Sequence, residues 1–275
     1  MNERYFPVIT ESDKKLPYYL LSVGQNWNQE HVICPNGYYY QWIQSVKGEG
    51  ELITCGKTFR VKEGAGMLLM KGIGHEYYAI TPSWIVDWIV FDGSQVEVFI
   101  KNIIGIKTPG AFYVSNPEVF LSKMQSTIDI LQSNSTLKNI KCSGIIYSLL
   151  TDIMQYASVN PNDSVSNQYS RLEPLFDYIE QNYSKPLTLK DLADVAGVTP
   201  QHLCTLFKKI TNTRIFQYIN SVRITKSKEL LLHNPSMQIK EVALLTGFED
   251  VNYFCAVFKK HEKMTPGQFR KINNC

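Results

Sequence analysis

Two lysine pairs, Lys208-Lys209 and Lys259-Lys260, each stand directly behind a phenylalanine in this chain of 275 residues. Four residues before each phenylalanine stands another large apolar residue, Leu203 before Phe207 and Phe254 before Phe258. On a helix that spacing turns the apolar residues inward and leaves the lysines outside, where an ammonium group can meet a phosphate. Each lysine is equally at home as a solvated surface residue. The same outer faces carry Gln201, Cys204 and Thr205 in the first segment, and Val251, Asn252, Cys255 and Ala256 in the second. Gln201 or Asn252 suits the N6/N7 edge of adenine, and Val251 or Ala256 suits a thymine methyl. Small and apolar residues at these places point to A·T-leaning sites on double-stranded DNA. Cys204 and Cys255 fall at matching positions, as small packing residues or as a thiol switch. Packing is the plainer reading.

These residues need a scaffold, and the chain contains it twice. Leu189-Lys-Asp-Leu-Ala193 aligns with Ile239-Lys-Glu-Val-Ala243, and Gly197 with Gly247. With one extra residue in the second copy, Phe207-Lys208-Lys209 aligns with Phe258-Lys259-Lys260. Each copy reads as a helix, a glycine-containing turn and a second helix. That is a helix-turn-helix unit, or else an ordinary pair of helices with a glycine cap. The repeat favours the former. Phe216 to Leu232 predicts a long helix between the copies, holding them at fixed separation. Thr188-x-x-Asp191, Thr199-Pro200 and Thr265-Pro266-Gly267-Gln268 supply helix starts.

Charge follows this division. Residues 171–275 hold 15 Lys and Arg against 10 Asp and Glu, whereas residues 1–170 hold 13 against 15. Hydrophobic residues make up 44% and charged residues 19%, enough to bury a core in each half. No run approaches the roughly 18 apolar residues of a membrane span. The first residues, MNERYFPVIT, lack the apolar stretch of a signal peptide. The expectation is a soluble, cytoplasmic protein. Six cysteines are scattered without a CxxC pair, which fits neither a zinc site nor a disulfide framework.

The first half predicts short strands at 8–12 residue spacing: Tyr38–Val46, Glu51–Cys55, Thr58–Val61, Ala65–Met70, His75–Ile80 and Trp84–Phe91. Gly56-Lys57 reads as a hairpin turn. This spacing favours a β-barrel or sandwich. Helical periods follow Pro117, with Val119, Met124, Ile128 and Leu131, then Ile145-Ile146, Leu149-Leu150 and Ile153-Met154. These two helices either pack on the barrel or form a dimer seam. Ser158–Ser170 is polar and reads as a linker. The expected architecture is therefore a barrel with two flanking helices over 1–157, a linker over 158–170, and an all-α domain with two helix-turn-helix units over 171–275.

All four tryptophans lie in the barrel half, with Tyr38, Tyr39, Tyr40, Tyr77 and Tyr78. Rings with a polar tip suit a sugar, although most such rings are core. Strand alternation puts Tyr40 and Trp42 on one face, and His75 and Tyr77 on one face. These four are the expected ligand-binding residues, with Trp84 or Trp88 as packing. His75 is a hydroxyl partner or a satisfied core histidine. Only His31 and His75 are available there, so a three-histidine metal site cannot be built. No nucleophile motif or phosphate loop appears, and no cofactor is expected.

The stretch IKEVALLTGFEDVNYFCAVFKKHEKMTPGQFRK resembles the signature of the AraC/XylS family of bacterial transcription regulators, and the likeness covers residues 171–275. A looser likeness, over residues 15–110 and centred on GMLLMKGIGHEYYAITPSWIVDWIVFDGS, is to the family's cupin-like regulatory domain. The resemblance implies a ligand-gated regulator, an activator in contact with RNA polymerase, working as a homodimer and answering a small molecule such as a sugar. The family often has arginine where this chain has Thr205 and Ala256, and proline where it has Ile215. Losing a bidentate arginine contact predicts weaker guanine readout. Alternatives are a barrel that only dimerises, a metal-independent cupin isomerase carrying a DNA-binding tail, and a redox regulator.

Overall fold

The computed structural model describes residues 3–159 and 165–273. Its contacts divide the chain into two compact units, Met1–Ser166 and Asn167–Cys275.

The first unit is built from antiparallel strands. In chain order they are β1 (Glu3–Tyr5), β2 (Tyr19–Asn28), β3 (Val32–Cys34), β4 (Tyr40–Lys47), β5 (Gly50–Thr54), β6 (Lys57–Val61), β7 (Gly66–Leu69), β8 (His75–Ala79), β9 (Ile85–Asp92), β10 (Gly110–Val114) and β11 (Ala157–Ser158). One sheet runs β1-β2-β9-β4-β7-β10-β11, and the other runs β3-β8-β5-β6. Between the last strands come a single turn, α1 (Val96–Val98), and two long helices, α2 (Pro117–Gln132) and α3 (Lys138–Tyr156). The β5–β6 hairpin turns on Cys55-Gly56, both at positive φ (51° and 71°), one residue earlier than the expected Gly56-Lys57. Positive φ at both turn residues matches the twist of the flanking strands.

The large sheet separates two cores. Ile43, Leu52, Met67, Tyr77, Trp84 and Trp88 pack in the barrel interior. On the other side, Tyr40, Trp42, Ile89 and Phe91 pack against Phe120, Met124, Ile146 and Leu149 of α2 and α3. The two helices therefore bury an apolar face on the sheet. Trp42 stacks on Phe120 with centroids 4.8 Å apart, and Tyr40 stacks on Phe91 at 6.3 Å. The expectation that Tyr40 and Trp42 face the ligand is thus corrected. Alternation along β4 puts both on the helix side and gives the interior to Gln41 and Ile43.

The linker boundary also moves. Ser158 pairs with Tyr113 in the large sheet, and α4 (Val165–Asn182) begins inside the expected 158–170 segment. Residues 160–164 of that segment lie outside the described residues.

The second unit continues with α5 (Leu189–Val195), α6 (Pro200–Thr211), α7 (Ile215–His233), α8 (Ile239–Leu245), α9 (Val251–Glu262) and α10 (Pro266–Asn273). The helix starts are capped as the sequence suggests. Thr188 and Asp191 satisfy each other's backbone at 3.1 and 3.2 Å, and Thr265 and Gln268 do so at 2.9 and 3.2 Å. Thr199 and Asp250 cap α6 and α9. There are two cores here, one per helix pair. Leu172, Leu175, Leu192, Leu203 and Phe207 gather with Ile215, Ile219 and Val222 of α7. Val242, Phe248, Phe254 and Phe258 gather with Ile224 and Leu231 of the same helix. From Ile215 to Ile224 the helix makes about two and a half turns, so its two apolar stripes point to opposite sides. One helix thereby carries both units.

Candidate functional site

The outer face of α6 exposes Gln201, Cys204, Thr205, Lys208 and Lys209, opposite buried Leu203 and Phe207. The outer face of α9 exposes Asn252, Ala256, Lys259 and Lys260, opposite buried Phe254 and Phe258. Val251 and Cys255 are not on that face, and their expected base contacts are corrected. Both are half-buried against the Phe254–Phe258 cluster. Val251, Phe254, Cys255 and Phe258 follow i, i+3, i+4, i+7 spacing, a single inward stripe. The two matching cysteines therefore differ: Cys204 is exposed, and burial pushes the Cys255 thiol up.

His202 and Tyr253 are exposed on the two outer faces, at matching positions that the sequence reading passed over. The repeat itself was the signal, since the offset that pairs Phe207 with Phe258 also pairs these two. Asn220 of α7 donates from Nδ2 to the Tyr253 hydroxyl at 3.1 Å. A concavity of about 520 Å³ is lined by Cys204 and Lys208 of α6, Gln217 and Asn220 of α7, and Tyr253 of α9. Both outer helices therefore border one surface, on one side of the unit. Lys208 of α6 and Arg214 of α7 stand on this surface.

The barrel holds a second site. A cavity of about 330 Å³ is lined by the rings of Trp27, Tyr77 and Trp88 and by the polar groups of Ser22, Gln29 and Gln41. Trp27 meets Trp88 edge-on, with centroids 6.4 Å apart. Trp88 lies so close to β2 that a Cβ on Gly24 would come within 2.5 Å of the indole. Arg4 borders the cavity, its guanidinium 5.1 Å from the Phe6 ring and 5.4 Å from Trp27. Burial pushes the Tyr77 phenol up, so it stays protonated and able to donate. His75 lies beside the cavity rather than in its lining. It stacks on Tyr77 at 6.0 Å, and its Nδ1 lies 3.2 Å from the Ile73 carbonyl. Trp84 is fully buried packing, with Nε1 donating to Ser45 Oγ at 2.9 Å. Of the four expected ligand residues, the structure brings only Tyr77 to the cavity. Gln41 stands between Tyr40 and Trp42, so the cavity face of β4 is one residue out of phase with the expected one. Among the described residues, no three His, Cys, Asp or Glu side chains gather as a metal-binding group.

The family model for a helix-turn-helix domain matches residues 192–272, and the model for an AraC-like ligand-binding domain matches residues 34–150. The chain belongs to the AraC family. Its relatives include the lactose operon transcription activator of Staphylococcus xylosus, 26% identical over 87% of this chain and 90% of that protein. The Msm operon regulatory protein of Streptococcus mutans is 28% identical over 82% of each chain. The raffinose operon transcriptional regulatory protein RafR of Pediococcus pentosaceus is 23% identical over 86% of this chain and 85% of that protein. This AraC-family regulator thus has a DNA-binding helix-turn-helix domain, which contains α6 and α9, and an N-terminal ligand-binding domain, which contains the barrel cavity. Among the described residues no helix is long and apolar enough to cross a membrane.

Proposed function

We propose that this regulator is a ligand-responsive activator of carbohydrate-related genes in the bacterial cytoplasm, with a sugar-like effector in the barrel cavity. The observation that carries the reading is the cavity itself. Trp27, Tyr77 and Trp88 line about 330 Å³ together with hydrogen-bonding groups on Ser22, Gln29 and Gln41. Rings cover the C–H faces of a sugar, and amides and hydroxyls answer its hydroxyls. Two of the relatives are named for lactose and raffinose operons, which supports the substrate class. His75 acts from behind, fixing the Tyr77 ring by stacking.

On DNA, Gln201, Cys204 and Thr205 of α6 and Asn252 and Ala256 of α9 meet base edges. Lys208, Lys209, Lys259 and Lys260 meet phosphates. The effector binds one arrangement of the protein more tightly than another and shifts the population toward it, changing DNA affinity or the contact with RNA polymerase. The working unit is a homodimer. The outward residues Ile140 and Tyr147 of α3, exposed at 55% and 50%, support a second copy there. The barrel binds without turning its ligand over.

The test is a protection footprint of the full chain on DNA upstream of its own gene, with and without a panel of mono- and disaccharides. Two protected patches about one helical turn apart, altered by one sugar class, are expected. Protection indifferent to every sugar, with unchanged thermal stability, would overturn the effector reading and leave the DNA reading standing.

A further inference from the structure

Between the two recognition helices lies a surface that α7 shares with both of them. Two adjoining concavities, of about 520 and 560 Å³, follow the outward side of α7. Gln217, Asn220 and Tyr253 line both of them. Lys208 and Arg214 border the first, and Lys260 borders the second. Neither lining contains an aspartate or glutamate, whereas the next concavity round the helix contains Glu249 and Asp250.

The groups here are donors. Tyr253 accepts from Asn220 Nδ2 at 3.1 Å, which leaves the phenol O–H free to donate outward, and the side chain is 54% exposed. Gln217 turns Oε1 toward the Arg214 N–H at 3.4 Å, which leaves its amide NH₂ outward. Cations and neutral donors without an anion are what a phosphodiester backbone requires. When α6 and α9 lie in successive major grooves, the backbones that border the intervening minor groove pass under the first half of α7.

The geometry points to a third DNA-contacting element: Arg214, Gln217 and Asn220 of α7, with Tyr253 of α9, hold the phosphates that lie between the two major grooves. The element rests on the two-groove reading given above. It makes α7 more than a spacer, because a backbone clamp between two recognition helices fixes their phase on the duplex. It carries no sequence preference of its own.

The test uses the full chain and duplexes recovered with it from a random-sequence library. Ethylation of phosphates between the two protected boxes is expected to block binding. Arg214→Ala is expected to recover the same consensus, to lose that interference, and to lower the slope of log K against log salt by about 1. Asn220→Asp, which places a carboxylate in the surface, is expected to weaken binding roughly tenfold at moderate salt. Interference confined to the phosphates flanking each box, with an unchanged slope for Arg214→Ala, overturns the clamp while the two-helix reading stands. Recovered duplexes with a single protected box overturn both.

Discussion

The guanidinium of Arg223 lies 5.6 Å from the centroid of the Phe248 ring. The same group donates from Nε to the Tyr183 carbonyl at 2.8 Å and from Nη2 to the Lys185 carbonyl at 3.0 Å. One side chain of α7 therefore ties the turn before α5 to the turn before α9, and hence the first helix-turn-helix unit to the second. Gly247 sits beside it at φ 85°, where a Cβ would come within 2.7 Å of the Tyr183 carbonyl and 3.0 Å of Arg223. Gly247→Ala is expected to destabilise the C-terminal unit by roughly 2 kcal/mol or more, from left-handed backbone and crowding together. Arg223→Met leaves two carbonyls without their charged donor, at about 1.5–3 kcal/mol each. Thermal unfolding of the two variants, read by C-terminal proteolysis, checks both.

Asn252 and Lys259 lie on one face of α9 but are expected to do different things. Asn252→Ala should relax base preference in one box, with about 1–3 kcal/mol lost against the preferred sequence. Lys259→Ala should weaken all sequences alike and lower the salt slope by about 1. Competition binding on selected and scrambled duplexes separates the two outcomes.

Trp42 and Trp88 are adjacent in the sheet but face opposite cores. Trp42→Ala is expected to cost about 3–5 kcal/mol of first-unit stability by opening a cavity beneath α2. Trp42→Phe should be mild, because the buried Nε1 finds no hydrogen-bond partner among the described residues. Neither should change which effector is bound. Trp88→Leu should keep the fold and lose at least tenfold in effector affinity, measured by calorimetry on the full chain.

Burial holds His75 below its ordinary value, against the smaller opposing effect of the Ile73 carbonyl. A histidine lowered in the fold contributes fully above its unfolded pKa of about 6.5, and the contribution is lost as pH falls toward the folded pKa. Stability of the first unit is therefore expected to decline below about pH 6.5 in the wild type. His75→Gln should flatten that part of the profile. An unchanged slope in denaturant titrations between pH 7 and 5 would count against it.

Cys204 is exposed on α6, whereas Cys255 is half-buried with its thiol pushed up, and the buried Cys142 thiol is raised to about 11. Alkylation should label Cys204 early, Cys255 slowly and Cys142 only on unfolding. Bound duplex should protect Cys204. Mass spectrometry of the tryptic peptides reads all three sites.

Much of the second unit was legible in the sequence because its information is local. Caps such as Thr188-x-x-Asp191, the positive-φ glycine Gly247, and the i, i+4 pairs Leu203/Phe207 and Phe254/Phe258 act within one or two turns of chain. The barrel was legible as strands but not as faces. Tyr40 and Trp42 are as suited to a sugar as to a core, and only the position of α2 and α3 on the sheet assigns them to packing.

The sequence by itself therefore determined the repeat, the helix caps of the second unit, the lysine pairs behind Phe207 and Phe258, and the strand-rich first half. Only the tertiary structure decided which side of β4 meets the cavity, that Val251 and Cys255 turn inward while Cys204 does not, and that Arg214, Gln217, Asn220 and Tyr253 share one surface. Those facts depend on residues distant in the chain. Strand alternation says that neighbours face opposite ways, yet which way is inward is settled by the element packed on each face.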